Sequence, residues 1–342
     1  MLDILSTIDE WVREGRQVAL ATVVDTWGSA PRQRGAKMGV SSDMAMIGSV
    51  SGGCVETTVV EEALESLAKG KPRLLHFGVS DDTAWEVGLA CGGKISVLVE
   101  PLDKQWWEKI AQDVRQDTAA VTATVLDGDL AGQKALVESS GLMYATDKLR
   151  DDVRDAITQA ASQALEKGAS ERIQINDLDV LLDVYRPRPR LVIVGGAHVA
   201  MALKNFAHQL GFRVFLIDPR QAFATRERFP DVELISHQYP DKALLEIGLT
   251  PETYIAILTH DPKIDDPALK VVLPSPAPYI GILSSRRTHE KRVERLTKAG
   301  VDPELIKRAH VPIGLNIGAQ TPEEIALCIM AQIVAVRNGV AV

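Results

Sequence analysis

Leu191-Val192-Ile193-Val194-Gly195-Gly196-Ala197-His198-Val199-Ala200 reads as a buried strand turning into a helix. Four apolar, partly β-branched residues suit a parallel strand covered on both faces. Two glycines make a tight turn, and Met201 to Leu210 continues with helical apolar spacing to a stop at Gly211. Phe212 to Ile217 is the next strand, closed by Asp218. This is one βαβ unit with an acidic residue at about the distance expected for ribose contact in a dinucleotide fold. Ala197 and Ala200 stand where the second and third glycines of the fingerprint belong. The pattern therefore predicts a doubly wound parallel sheet and leaves open whether NAD(P) or FAD occupies the turn.

Outward from this unit, the 342 residues suit two domains of ordinary size. Lys and Arg number 38 against 46 Asp and Glu, a net charge of −8, which argues against nucleic acid or an anionic membrane surface as a general partner. No apolar run reaches the roughly 20 residues needed to span a bilayer, and Met1 to Glu10 is amphipathic and acidic, unlike a secretory signal. Cys54, Cys91 and Cys328 are odd in number and widely spaced, which argues for a reducing, cytoplasmic compartment.

The chain before the linker, residues 1–185, reads as a mixed α/β domain. Helices are expected over Leu2–Arg13, from Val55 to Gly70, and over Gln105–Val114 and Lys148–Leu165. Strands are expected over Val18–Val24, Leu74–Phe77, Ile95–Glu100, Val121–Leu126 and Val180–Tyr185, with a hairpin from Gly39 to Ile47. No internal repeat is visible. Arg186-Pro187-Arg188-Pro189-Arg190 is the linker, because two prolines deny helix and central strand. Residues 191–342 then alternate strands and helices. Thr321-Pro322-Glu323-Glu324 predicts an N-cap, Pro at N1 and a capping box for a final, buried helix.

Ligands of open α/β sheets sit beyond the carboxyl ends of the strands. Three polar groups fall there: Gly195-Gly196, Thr259-His260-Asp261 and Ser284-Ser285-Arg286-Arg287. Arg286 and Arg287 suit a phosphate or carboxylate, or else pair with acidic side chains. His260-Asp261 reads as an acid/base pair or as polar lining. In the first domain, Ser51-Gly52-Gly53-Cys54 puts free backbone N–H groups and a thiol at a helix start, where an anion or thiolate is favoured. The plainer reading is a tight turn followed by a small buried cysteine. Cys91-Gly92-Gly93 repeats the theme in reverse order. With Arg32, Arg34 and Lys37, these residues describe a phosphate-bearing ligand with soft-sulfur or metal chemistry. Cys328 reads as a core residue.

Taken together, the segments resemble the XdhC/CoxI family, accessory proteins that mature xanthine dehydrogenase and related molybdenum hydroxylases. The resemblance rests on Gly28-Ser29-Ala30-Pro31-Arg32, Gly35-Ala36-Lys37-Met38, Gly52-Gly53-Cys54-Val55-Glu56 and Cys91-Gly92-Gly93. It continues in Val194-Gly195-Gly196-Ala197-His198-Val199, Asp218-Pro219-Arg220, Leu258-Thr259-His260-Asp261, Ser285-Arg286-Arg287 and Pro312 to Glu324. It implies an N-terminal XdhC/CoxI domain, a C-terminal Rossmann-like domain, and commonly a homodimer. It also implies a non-catalytic chaperone that binds molybdenum cofactor, supports its sulfuration by a cysteine desulfurase, and inserts it into an apo molybdenum hydroxylase. On that reading Cys54 and Cys91 are soft contacts near the metal, and Arg32, Arg34 and Lys37 hold the phosphate. Gly52, Gly53, Gly92, Gly93, Gly195, Gly196, Asp218, His260, Asp261, Ser285, Arg286 and Arg287 complete the expected contact set. Ala197, Ala200 and Ser284 depart from the family pattern. The alternatives are an NAD(P)-dependent oxidoreductase using the crevice at Gly195, Asp218 and His260, or a ligand-free adaptor.

Overall fold

Residues 1–28, 32–78 and 93–341 are described by a computed structural model. They form two units, Met1–Pro187 and Arg188–Val342. Unit 1 begins with α1 (Leu2–Arg13), β1 (Val18–Trp27), β2 (Lys37–Ser41), β3 (Met46–Gly48), α2 (Glu56–Lys69), β4 (Arg73–Phe77) and β5 (Lys94–Pro101). It continues with α3 (Lys104–Gln116), β6 (Ala120–Val125), β7 (Lys134–Glu138), β8 (Gly141–Ala145), α4 (Asp151–Lys167), β9 (Glu171–Ile175) and β10 (Leu178–Tyr185). The strand orders are β3-β2-β1-β5-β4 and β8-β7-β6-β10-β9, the second being the first advanced by five.

Unit 1 is thus two copies of one α-β-β-β-α-β-β motif, a correction to the sequence reading, which found no repeat. The copies agree residue by residue. Thr22 pairs with Lys37 and Leu98 in the first sheet; Thr124 pairs with Lys134 and Leu181 in the second. The Gly35 N–H donates to the Val23 carbonyl and the Gly132 N–H to that of Val125, both at 2.8 Å. Both glycines have positive φ, as a left-handed turn requires.

Strand alternation then builds four layers. Ala19, Ala21 and Val23 share an apolar core with Val59 and Ala63 of α2. Val121, Ala123 and Val125 do the same with Val153 and Ile157 of α4. The opposite faces meet each other: Val24 and Leu98 of one sheet join Leu126 and Leu181 beside the other. Two ion pairs cross this buried layer. Lys37 of the first copy pairs with Asp183 of the second at 2.8 Å, and Lys134 of the second with Glu100 of the first at 2.6 Å. Each lysine also donates to its own copy's threonine, Thr22 or Thr124.

Unit 2 holds β11 (Arg190–Val194), α5 (His198–Gln209), β12 (Arg213–Ile217), β13 (Leu234–Ser236), α6 (Pro240–Ile247), β14 (Thr253–Ile257), α7 (Pro262–Val272), β15 (Tyr279–Ile282), α8 (Arg286–Lys298), α9 (Pro303–Ile306), β16 (Ala309–His310) and α10 (Pro322–Arg337). All six strands are parallel, in the order β13-β12-β11-β14-β15-β16. Residues of α5 and α10 share one core with one face of the sheet, and residues of α6, α7 and α8 share another with the opposite face. This is the doubly wound architecture expected from the sequence. The strand order reverses between β11 and β14, which places the crevice there.

The Thr321 hydroxyl accepts the Glu324 N–H while Glu324 accepts the Thr321 N–H, so the capping box forms as its spacing predicts. Thr321→Ala should lower stability by about 1 kcal/mol, measured as a shift in the urea midpoint at unchanged m-value. The final helix is less buried than its composition suggests: Leu327 is 47% exposed.

Candidate functional site

Three connections of the first copy leave one rim of its sheet. Trp27, at the end of β1, pairs with Lys94, at the start of β5. Met38 pairs with Gly48, at the end of β3, and Phe77, at the end of β4, with Ile95. The rim therefore gathers residues 28, 32–36, 49–55, 78 and 93. Cys91 and Gly92 lie outside the described residues; Gly93 precedes β5. In the second copy the last of these connections is only Asn176-Asp177, a tight turn with both φ positive. The first copy's elaborations are therefore additions to a shared frame.

Cys54 is half-buried on the middle connection, with its N–H donating to the Ser51 hydroxyl at 2.9 Å. The N–H groups expected to be free for an anion are already engaged. Glu56, the first residue of α2, folds its carboxylate back under the loop. It accepts from the N–H groups of Val50, Ser51, Gly52, Gly53 and Val55 and from the Ser49 and Ser51 hydroxyls. Burial alone would raise its pKa, but the hydroxyls and amides bring it down from 4.5 to about 2. The sequence signal was present: a glutamate just beyond Gly-Gly-Cys can return as the loop's own anion.

The three basic residues do not converge. Lys37 is 4% exposed and bound to Asp183 and Thr22 in the interior. Arg34 donates to the Val24 and Ser170 carbonyls and to Asp25. Both are committed to the fold, which corrects the expectation that they hold a ligand phosphate. Arg32 lies 3.8 Å from Asp3, and its buried Nε has no hydrogen-bond partner among the described residues. Trp27, 69% exposed with the Lys94 ammonium 5.7 Å from its ring centre, is a rim residue the sequence reading passed over. Among the described residues no group of three or more His, Cys, Asp or Glu is placed to hold a metal ion.

In unit 2 a cleft of about 580 Å³ opens at the switch point, lined by Ala197, His198, Arg220, Thr259, His260 and Asp261 among others. Of the three polar groups expected to converge, Thr259-His260-Asp261 line it; on the third, the lining reaches Leu283 but not Ser285, Arg286 or Arg287. Asp261 caps α7 by accepting the Lys263 N–H, and Ser285 caps α8. Thr259 donates to Asp265, whose other oxygen accepts from Arg292.

Asp218 is fully buried and saturated. It accepts the N–H groups of Gly196 and Arg220 and both Nε and Nη2 of Arg220. Desolvation opposes its charge, yet the guanidinium and the two amides hold its pKa below the usual carboxylate range. A Cβ on Gly196 would stand 2.4 Å from the Phe223 carbonyl, so the chain itself fills the space beside the glycine turn.

Comparison with known proteins bears on this pair of units. Residues 191–333 match the XdhC Rossmann domain and residues 11–78 the XdhC and CoxI family. The chain belongs to the XdhC and CoxI family. Among XdhC-like relatives, a probable xanthine dehydrogenase subunit of Bacillus subtilis is 28% identical, with 98% of each chain covered. The molybdenum cofactor insertion chaperone PaoD of Escherichia coli is 25% identical over 96% of this chain and 86% of its own. YqeB of Escherichia coli is 28% identical over 94% of this chain, which spans only 44% of that longer protein. A crystal structure described as a xanthine dehydrogenase from Bacillus halodurans superposes with a TM-score of 0.78 at 26% identity, covering 98% of this chain and 96% of the other.

Proposed function

We propose that this chain is a maturation factor that holds molybdenum cofactor at the rim of the first copy and passes it to an apo molybdenum hydroxylase. The observation that carries the reading is the asymmetry of unit 1. Two copies share a frame, and only one carries the glycine-cysteine loop and the long connection bearing Cys91. The likeness to an insertion chaperone along nearly the whole chain supports it. Cys54 and Cys91 supply sulfur donors suited to a soft metal centre. Arg32 offers a buried Nε with no hydrogen-bond partner among the described residues, fit for a phosphate oxygen. Trp27 offers a flat exposed face for a pterin ring. Arg34, Lys37 and Glu56 shape the rim from within.

A cysteine desulfurase that exchanges the cofactor's terminal oxo ligand for sulfur is a further partner on this reading, as is a second copy of the chain. Expression in a host that makes molybdopterin tests the cargo role. The purified protein should carry about one pterin and one molybdenum per chain. Cys54→Ala and Cys91→Ala should each reduce retention about tenfold. Unchanged retention in both variants removes the cysteine role; a cofactor-free wild type removes the cargo.

A further inference from the structure

We propose that the cleft of unit 2 takes a single phosphomonoester joined to a planar ring and refuses a dinucleotide. A Rossmann-type sheet implies NAD or FAD at the first glycine turn, and two features of that turn do not fit either. Asp218, placed where a carboxylate would take the ribose hydroxyls, already accepts four hydrogen bonds, which fills its acceptor sites. Where the fingerprint's second glycine would admit a pyrophosphate this chain has Ala197, and the Phe223 carbonyl closes on Gly196 beside it. Arg220 and Asp218 thus act as a latch across the ribose position.

The space left on the other side of that latch is still a site of small-molecule size. Its volume of about 580 Å³ lies within the range of roughly 300–1,000 Å³ usual for small ligands. Val199, Leu258, Pro262 and Leu283 give it apolar lining. The Arg220 guanidinium lies 4.1 Å over the Phe223 ring, and both residues line the cleft, a stacked wall against which a planar ring can lie. His198 and His260 line it too, each without a hydrogen-bond partner among the described residues. Asp261 lines the cleft as well and turns one oxygen to the Lys263 N–H as the cap of α7. Two imidazoles over an apolar floor, with Asp218 saturated by Arg220, suit an anion attached to a ring. Mononucleotides and pterin phosphates share that chemistry. The inference rests on unit 2 alone and survives failure of the cargo reading.

Calorimetric titration of the full chain with 5′-AMP, neopterin phosphate, their dephosphorylated forms and NAD+ tests it. One of the two monophosphates should bind at least about tenfold more tightly than its dephosphorylated form and than NAD+, and which one binds identifies the ring. His260→Ala, at an exposed position, should weaken that binding by about fivefold or more without lowering the melting temperature. NAD+ binding as tightly as the better monophosphate overturns the proposal. So does the absence of binding by both monophosphates up to about 1 mM. Retention of molybdenum by the Cys54→Ala variant reports separately on unit 1.

Discussion

Replacing Asp183 with alanine is expected to lower the free energy of unfolding by about 3–5 kcal/mol. The substitution leaves the Lys37 ammonium, 4% exposed, with only the Thr22 hydroxyl among its hydrogen-bond partners. Desolvating an unpaired ammonium costs far more than any contact the alanine methyl can return. Because the pair is reciprocal, Glu100→Ala should strand Lys134 in the same way, and the two losses should agree within about 1 kcal/mol. Replacing both partners, as in Lys37→Met with Asp183→Leu, should recover most of the loss, since no charge is then buried. Urea titration of the variants reads all of this. A loss below about 1 kcal/mol in both single acid variants would show that water reaches the layer between the sheets.

Glu56→Ala should have the second largest effect. It removes the acceptor for five backbone N–H groups and two hydroxyls at the start of α2. Those donors become partly exposed, so a loss of about 2–3 kcal/mol is expected rather than the sum of separate bonds. The pH dependence is specific. A carboxyl whose folded pKa is depressed from 4.5 to about 2 contributes its full stability above pH 4.5 and loses it as the pH falls toward 2. Glu56→Gln should therefore lack that acid limb, while already being less stable at pH 7. Thermal melts of the three proteins between pH 2 and 7 measure it. Overlapping wild-type and Glu56→Gln profiles would mean that the loop amides find water instead.

The sheet of unit 2 was legible in the sequence because parallel strands covered on both faces are written as unbroken apolar runs, such as Leu191–Val194 and Tyr254–Leu258. The chain's own chemistry at Asp218 was not. The carboxylate stands where a ribose contact belongs, and only the structure shows Arg220, two residues on, turning back to take both oxygens. In unit 1 the strands β7, β8 and β9 escaped notice. Lys134 sits in a strand as a buried cation, and β8 is half-exposed along its length, so neither shows clean alternation. The duplication escaped with them, because what the copies share is short and scattered: Ala21-Thr22-Val23-Val24-Asp25 matches Ala123-Thr124-Val125-Leu126-Asp127, and Gly35-Ala36-Lys37 matches Gly132-Gln133-Lys134, with little likeness between. The rim loop reads in the sequence as free N–H groups waiting for an anion at a helix start; in the structure those amides are held by the side chain of Glu56.

Tandem copies ordinarily drift apart freely. The crossed lysines withdraw that freedom here, since neither copy can shed its cation without orphaning an acid on the other. Both inner faces are bound to evolve in step, and novelty is confined to the hairpin ends, where one copy has grown long connections and the other keeps a two-residue turn at Asn176-Asp177. That turn is an unspent port: a graft of the longer connection there would be carried by a chassis already shaped to bear it.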